Sequence, residues 1–281
     1  MLVPFLQSDP EKTSARFRRL REYVRQNLLV DGQFICKHYR ECLVSSPNRA
    51  AFYEGQMSHV GKHYDLTVVG QDLRIVVVGQ EYGSRHRRVT LEERTAMGDR
   101  SRGFKGRNPH MKGTTSLLRL MLGRPAGSDR EGELLHFPHP QPVGHIFDCY
   151  ALVNFLLCSA LKLPRANDRS DKGSSSPTMR RNCTEHFRAT LDILEPTVIV
   201  AQGQAVRSWI ERPLGLGRKA PARYDGPVTP EATRIAGKRV ELLTFNHPSA
   251  PGHSGWWGRS PDAKYLKKVV EPTIRSWRGR L

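Results

Sequence analysis

The sequence predicts an α/β protein: a three-layer α/β/α sandwich with a central, mainly parallel four-stranded sheet covered on both faces by helices. Four apolar runs dense in β-branched residues, Arg74 to Val78, Ile146 to Leu157, Val198 to Ala201 and Val240 to Phe245, show little polar alternation. Strands buried on both faces have that pattern. Segments with helical apolar spacing stand between the runs, and strand–helix alternation builds parallel sheets. Each run also ends on or carries polar residues, and ligands of open α/β sheets bind outside the carboxyl ends of the strands.

In chain order, residues 12 to 30 place Phe17, Leu20, Tyr23, Val24 and Leu28 at helical spacing among arginines. This predicts an amphipathic helix whose basic outer face packs or touches phosphates. The first strand leads into Gly79-Gln80-Glu81-Tyr82-Gly83 and then the basic run Ser84-Arg85-His86-Arg87-Arg88. A charged, glycine-containing loop over Asp99 to Lys112 precedes a helix near Ser116 to Leu122. The second strand carries Asn154, and a loop from Arg165 to Pro177 separates it from a helix over Thr178 to Leu194. The third strand ends in Gln202-Gly203, followed by a helix over Gln204 to Ile210 and a loop from Leu214 to Thr229. The fourth ends in Asn246-His247-Pro248-Ser249, and a last helix runs from Asp262 to Trp277.

A chain of 281 residues can bury one large core. We expect a helical amino-terminal extension over 1–65 and an α/β/α domain over 66–281, together one compact unit. Lysine and arginine total 45 against 27 acidic residues, a formal charge of +18 that points to a polyanionic partner, nucleic acid first. No stretch approaches the roughly 18 apolar residues of a membrane span, and the apolar start Met1 to Leu6 is too short for a signal peptide. The expectation is a soluble, cytoplasmic, nucleoid-associated monomer with no membrane partner. Five cysteines in such a chain argue against a disulfide framework and leave metal binding, chemistry or burial as their roles.

The polar residues at the strand ends also resemble a known family, the uracil-DNA glycosylase superfamily. Val76-Val77-Val78-Gly79-Gln80-Glu81-Tyr82-Gly83 resembles its first motif, whose usual form is Gly-Gln-Asp-Pro-Tyr-His, and Asn246-His247-Pro248-Ser249-Ala250 resembles its His-Pro-Ser motif. Val153-Asn154-Phe155-Leu156-Leu157-Cys158 resembles the Thr-Asn-Val-Val-Lys-Cys segment of the iron–sulfur branch. Arg181-Asn182-Cys183, heading a helix that leads to Glu195-Pro196-Thr197-Val198-Ile199-Val200-Ala201-Gln202-Gly203, resembles that branch's next block.

The resemblance implies hydrolysis of the N-glycosidic bond of uracil in single- or double-stranded DNA, leaving an abasic site for base-excision repair. His247 then stabilises the departing base, and Asn154 reads the uracil edge. Glu81 stands where the family's water-activating aspartate does, while much of the iron–sulfur branch has its acid one position earlier, here Gln80. Gly79, Gln80, Tyr82 and Phe104 complete the implied base pocket, where Tyr82 either blocks the thymine methyl or simply packs. Arg85, Arg87, Arg88, Ser249 and His253 are the implied DNA contacts. One branch traps the sugar through a histidine in a basic loop, but the run holding His86 sits directly beside the first motif and reads as a phosphate-binding loop.

Four cysteines of that branch hold a [4Fe-4S] cluster, which assigns Cys158 and Cys183 directly and Cys36 and Cys42 as the other pair. The five residues between Cys36 and Cys42 exceed the family's common two, and zinc or no metal is the alternative. Cys149 reads as a small buried hydrophobe. Two other functions fit the same fold: a glycosylase for another base such as hypoxanthine, and a non-catalytic iron–sulfur DNA-binding protein.

Overall fold

The computed structural model describes residues 6–47, 50–81, 83, 85–103, 107–127, 129–138, 141, 143–162, 172–217, 226–250 and 257–281. Six strands form the central sheet: β1 (His59–Val60), β2 (Ile75–Gly79), β3 (Tyr150–Asn154), β4 (Val198–Gln202), β5 (Glu231–Ile235) and β6 (Lys238–Phe245). Their order across the sheet is β5-β6-β4-β2-β3-β1. The inner four are the strands expected from the apolar runs, and they are parallel. The sheet is wider than the expected four because β1 and β5 add antiparallel edges.

Register levels the four parallel strands at one end. Asn154 pairs with Gly79, Ala201 with Val78, and Gln202 with Phe245. The polar residues that follow the strands therefore emerge side by side.

Eight α-helices occur among the described residues: α1 (Pro10–Asn27), α2 (Tyr39–Val44), α3 (Leu91–Arg100), α4 (Pro109–Met121), α5 (Arg130–Glu133), α6 (Pro177–Leu194), α7 (Gln204–Ile210) and α8 (Glu271–Arg278). Alternate residues of the parallel strands enter two separate apolar cores, as the two-residue period of a strand requires. Val76, Val78, Ala151, Val153, Ile199 and Ala201 pack with Leu20 and Val24 of α1, Phe187 and Leu191 of α6, and Ile210 of α7. Ile75, Val77, Tyr150, Leu152, Val200 and Phe245 pack with Leu117 and Met121 of α4 and with Ile274 and Trp277 of α8. None of the helices of the described residues is long and apolar enough to cross a membrane.

The amino-terminal segment is woven into this framework. Leu6–Ser8 pairs with Leu66–Val68, and buried Arg16 of α1 bonds Asp65 at 3.0 Å. Three local features depart from the sequence expectation. The run Ile146 to Leu157 is a strand only over Tyr150–Asn154, because His145 and Asp148 form a capping box that winds Ile146–Asp148 into a 3₁₀ turn. The last helix contains a π turn at Leu266–Val270, beside Pro272, which lacks the N–H needed to continue a regular α ladder. The region 91–100, left without an element by apolar periodicity, is α3.

Candidate functional site

The level strand ends open into a cleft of about 830 Å³. Its lining includes Gly79, Gln80 and Glu81 after β2, Asn154 at the end of β3, Gln202 and Gly203 after β4, and Asn246 and His247 after β6. The expected catalytic and base-reading residues thus share one cavity. Asn154 is buried, and its Nδ2 has no hydrogen-bond partner; Gln204 Nε2 at the start of α7 is in the same condition. A buried donor without an acceptor costs roughly 1–3 kcal/mol, so these two amides are free to donate within the cleft. Gly79 keeps the approach open, since a Cβ there would stand 3.3 Å from Asn154 Oδ1.

His247 is held as a neutral donor. The Ser249 backbone N–H donates to its Nδ1 at 3.2 Å, so the neutral ring carries its proton on Nε2. Burial lowers its pKa, which favours that neutral form. His110, from the first turn of α4, stacks on it with ring centroids 5.1 Å apart and planes 15° from parallel. His110 Nε2 donates to Gln202 Oε1 at 2.7 Å, and Gln202 Nε2 donates to Thr114 Oγ1 at 3.0 Å. Burial and neighbouring His247 bring His110 down to about 3, so it too is neutral. Gly113 lets α4 approach closely, for a Cβ there would lie 2.6 Å from the Pro248 ring.

Glu81 lies against the strand Ser159–Lys162 and under Gly173, which has no room for a Cβ beside the carboxylate. Burial raises its pKa to about 7, with the Ser159 hydroxyl, the Ala160 amide and Gln80 pulling in the opposite direction. Gln80 Nε2 donates to Oε1 at 3.3 Å, and Oε2 is buried without a partner. Ser159 is itself fixed: it donates to Gln56 Oε1 at 2.7 Å and accepts from the Gly83 N–H at 3.2 Å.

On the opposite side of the segment 157–159, Cys36, Cys42, Cys158 and Cys183 line one small apolar cavity together with His38, Asn182 and His186. The wide spacing of Cys36 and Cys42 is accommodated by α2, which carries Cys42 back towards Cys36 in the turn before it. All four thiols are free. Burial raises the pKa of each, to about 12 for Cys183. The His38 amide for Cys36, the Gly55 amide for Cys158, the Asn182 side chain for Cys42 and the Leu157 amide for Cys183 pull the other way. Among the described residues no three His, Cys, Asp or Glu side chains converge on one point as ligands of a single ion do. The four cysteines instead share the lining of that one small cavity. Cys149 is buried in the other core, outside this group.

The expected DNA contacts are differently placed. Arg88 Nε lies 3.1 Å and Arg87 Nη1 3.5 Å from the carboxylate of buried Glu54, and Arg87 also covers the Tyr53 ring. Both stay about half exposed, and Arg85 is exposed. His86 is exposed, its carbonyl accepting from Gln56, and among the described residues that line the cleft it does not figure. Tyr82, Phe104 and His253 lie outside the described residues. His110, Ser159 and Gln56 had no motif to mark them. Only the Asn108-Pro109 helix start beside His110 is readable, and it marks a helix rather than a site. No protein-family model matches the chain, and no curated protein matches it.

Proposed function

We propose that this protein is a DNA glycosylase of the uracil-DNA glycosylase type, built on a three-layer α/β/α sandwich, that releases uracil and leaves an abasic site. The observation that carries the reading is the convergence of Glu81, Asn154 and His247 on one cleft with unpartnered buried polar atoms. A pyrimidine dione offers what the cleft lacks: carbonyl oxygens for Asn154 Nδ2 and His247 Nε2, and a ring N–H for an amide oxygen.

In the reaction, water attacks the anomeric carbon, and the glycosidic bond breaks with its electron pair leaving on the base. Ionised Glu81 takes the water's proton and offsets the cationic character of the sugar. Its pKa of about 7 matches a general base working near neutrality. His247 Nε2–H donates to the base oxygen as it gains charge, a role that a neutral imidazole performs without giving up its proton. The surplus of basic side chains supplies phosphate contacts, and extruding the base from a duplex costs a few kcal/mol that those contacts offset.

Cys36, Cys42, Cys158 and Cys183 fit a [4Fe-4S] cluster, since four free thiols line one cavity and side-chain nitrogens of His186 and Asn182 lie 3.5 and 3.7 Å from two of the sulfurs. When bound, such a cluster cross-links α2, α6 and the segment before Ser159 and has one-electron chemistry of its own. No step of the hydrolysis runs through it.

The test is release of free base from single- and double-stranded oligonucleotides carrying one uracil, with alkali cleavage of the abasic product as readout. Wild-type protein cleaves; Glu81→Gln does not; His247→Ala is about 10²–10³-fold slower, the usual cost of one such donor. Intact uracil strands with cleavage at hypoxanthine or another base would change the substrate, and intact strands throughout, with tight binding, would leave a DNA-binding protein without turnover.

A further inference from the structure

The cysteine cavity holds a hydrogen-bonded chain that the hydrolytic reading does not use. Tyr23 of α1 places its hydroxyl 2.7 Å from His186 Nδ1, and His186 Nε2 lies 3.5 Å from Cys36 Sγ. One turn earlier on α6, Asn182 Nδ2 lies 3.7 Å from Cys42 Sγ, while Glu41 Oε2 accepts from the same amide nitrogen at 2.9 Å. His186 and Asn182 are 4% and 7% exposed, so water competes little for these protons. The nearest rival acceptor, Glu185 Oε1, is 3.6 Å from His186 Nε2 and already engages His38 at 3.0 Å, while Lys37 holds the other oxygen at 2.9 Å.

A sulfur bound to iron has no proton and can only accept. Cys36 in that state requires His186 to carry its proton on Nε2, which leaves Nδ1 to accept from the Tyr23 hydroxyl. The chain then runs one way, from Tyr23 O–H through the imidazole to sulfur. We infer that His186, aligned by Tyr23, and Asn182 are the N–H donors to the Cys36 and Cys42 sulfurs that set the reduction potential of the cluster held by the four cysteines. The inference rests on the iron–sulfur reading and is independent of the glycosylase reading. An N–H···S bond draws charge from the sulfur, stabilises the state with one more electron and raises the potential. The proton stays on nitrogen throughout, and the electron enters from an external donor, in the test an electrode.

The test uses the full chain purified anaerobically, with iron and acid-labile sulfide quantified and the midpoint potential measured by spectroelectrochemical titration. His186→Phe keeps an aromatic ring in place but offers no donor, and Asn182→Leu removes the second donor. Both move the potential more negative than wild type at unchanged iron content, and Tyr23→Phe gives a smaller shift in the same direction. Tyr23→Phe leaves the imidazole in place and decides the matter if His186→Phe fails to retain the cluster. Variants loaded with iron whose potentials equal the wild type would overturn the inference, as would a wild-type cluster with no reversible couple. Protein that never contains iron or sulfide would instead overturn the iron–sulfur reading.

Discussion

Burial acts on Glu81 and His247 in opposite directions, raising the acid and lowering the base, so both are driven towards neutrality in one cleft. For His247 this serves a hydrogen-bond donor. For Glu81 it carries a stability cost, because the folded carboxyl titrates near 7 against 4.5 when solvated. A raised carboxyl pKa gives stability that is fully present below 4.5 and is lost as pH rises through 7. Glu81→Gln therefore raises the melting temperature relative to wild type at pH 8, and the gain shrinks at pH 5. Thermal unfolding of both proteins at the two pH values checks this; an equal gain at both would mean that the carboxyl does not titrate in that window. Glu81 and His247 were legible in the chain because each stands two residues past the end of an apolar strand. His110 was not, since its contact with His247 joins residues more than a hundred positions apart in sequence.

At the scale of elements, a buried ionic group holds the start of α4 in place. Arg107, just before that helix, donates to both oxygens of fully buried Glu133 at 2.8 and 2.7 Å, and His145 Nε2 lies 3.0 Å from the same carboxylate. Burial pushes the Glu133 pKa up, but bonds from His145 and Arg107 hold it below its usual value. Removing one partner strands a buried charge, so Glu133→Ala loses about 3–5 kcal/mol of stability, measured by urea unfolding. The double change Arg107→Met with Glu133→Leu loses less, because no charge is left unpaired. A loss under about 1 kcal/mol for the single variant would mean that water reaches the pair.

Other elements show what periodicity can and cannot reveal. The four parallel strands were visible because both faces are buried, which compresses each into an apolar run. Helix α3 was missed, although Thr90-Leu91-Glu92-Glu93 is a capping box that the structure forms in full; its few apolar residues leave little periodic signal. The β5–β6 hairpin was half missed, since β5 alternates exposed and partly buried residues. Its turn at Ala236-Gly237, with φ of 47° and 77°, has both residues left-handed as a two-residue hairpin turn requires.

At the scale of the whole molecule, burial lowers the pKa of several histidines among the described residues, most strongly at three. Burial lowers His59 to about 4, His110 to about 3 and His186 to about 4, against 6.5 when solvated. Below 6.5 the unfolded chain binds protons that the folded one refuses, so their contribution is fully present above 6.5 and is lost as pH falls towards 4. Denaturant midpoints at constant ionic strength fall between pH 7 and pH 5, and a His59→Gln, His110→Gln double variant falls less. A flat wild-type profile would show that these rings are protonated in the fold without penalty.

The sequence by itself determined the four parallel strands along the chain, most of the helices between them and the polar residues at the strands' carboxyl ends, because each is written in the spacing of neighbouring residues. Only the tertiary structure decided that the four ends are level, that β1 and β5 widen the sheet, that His110 stacks on His247 and that four cysteines line one cavity. Those relations depend on register and on contacts between segments distant in sequence, which the spacing of neighbouring residues does not record.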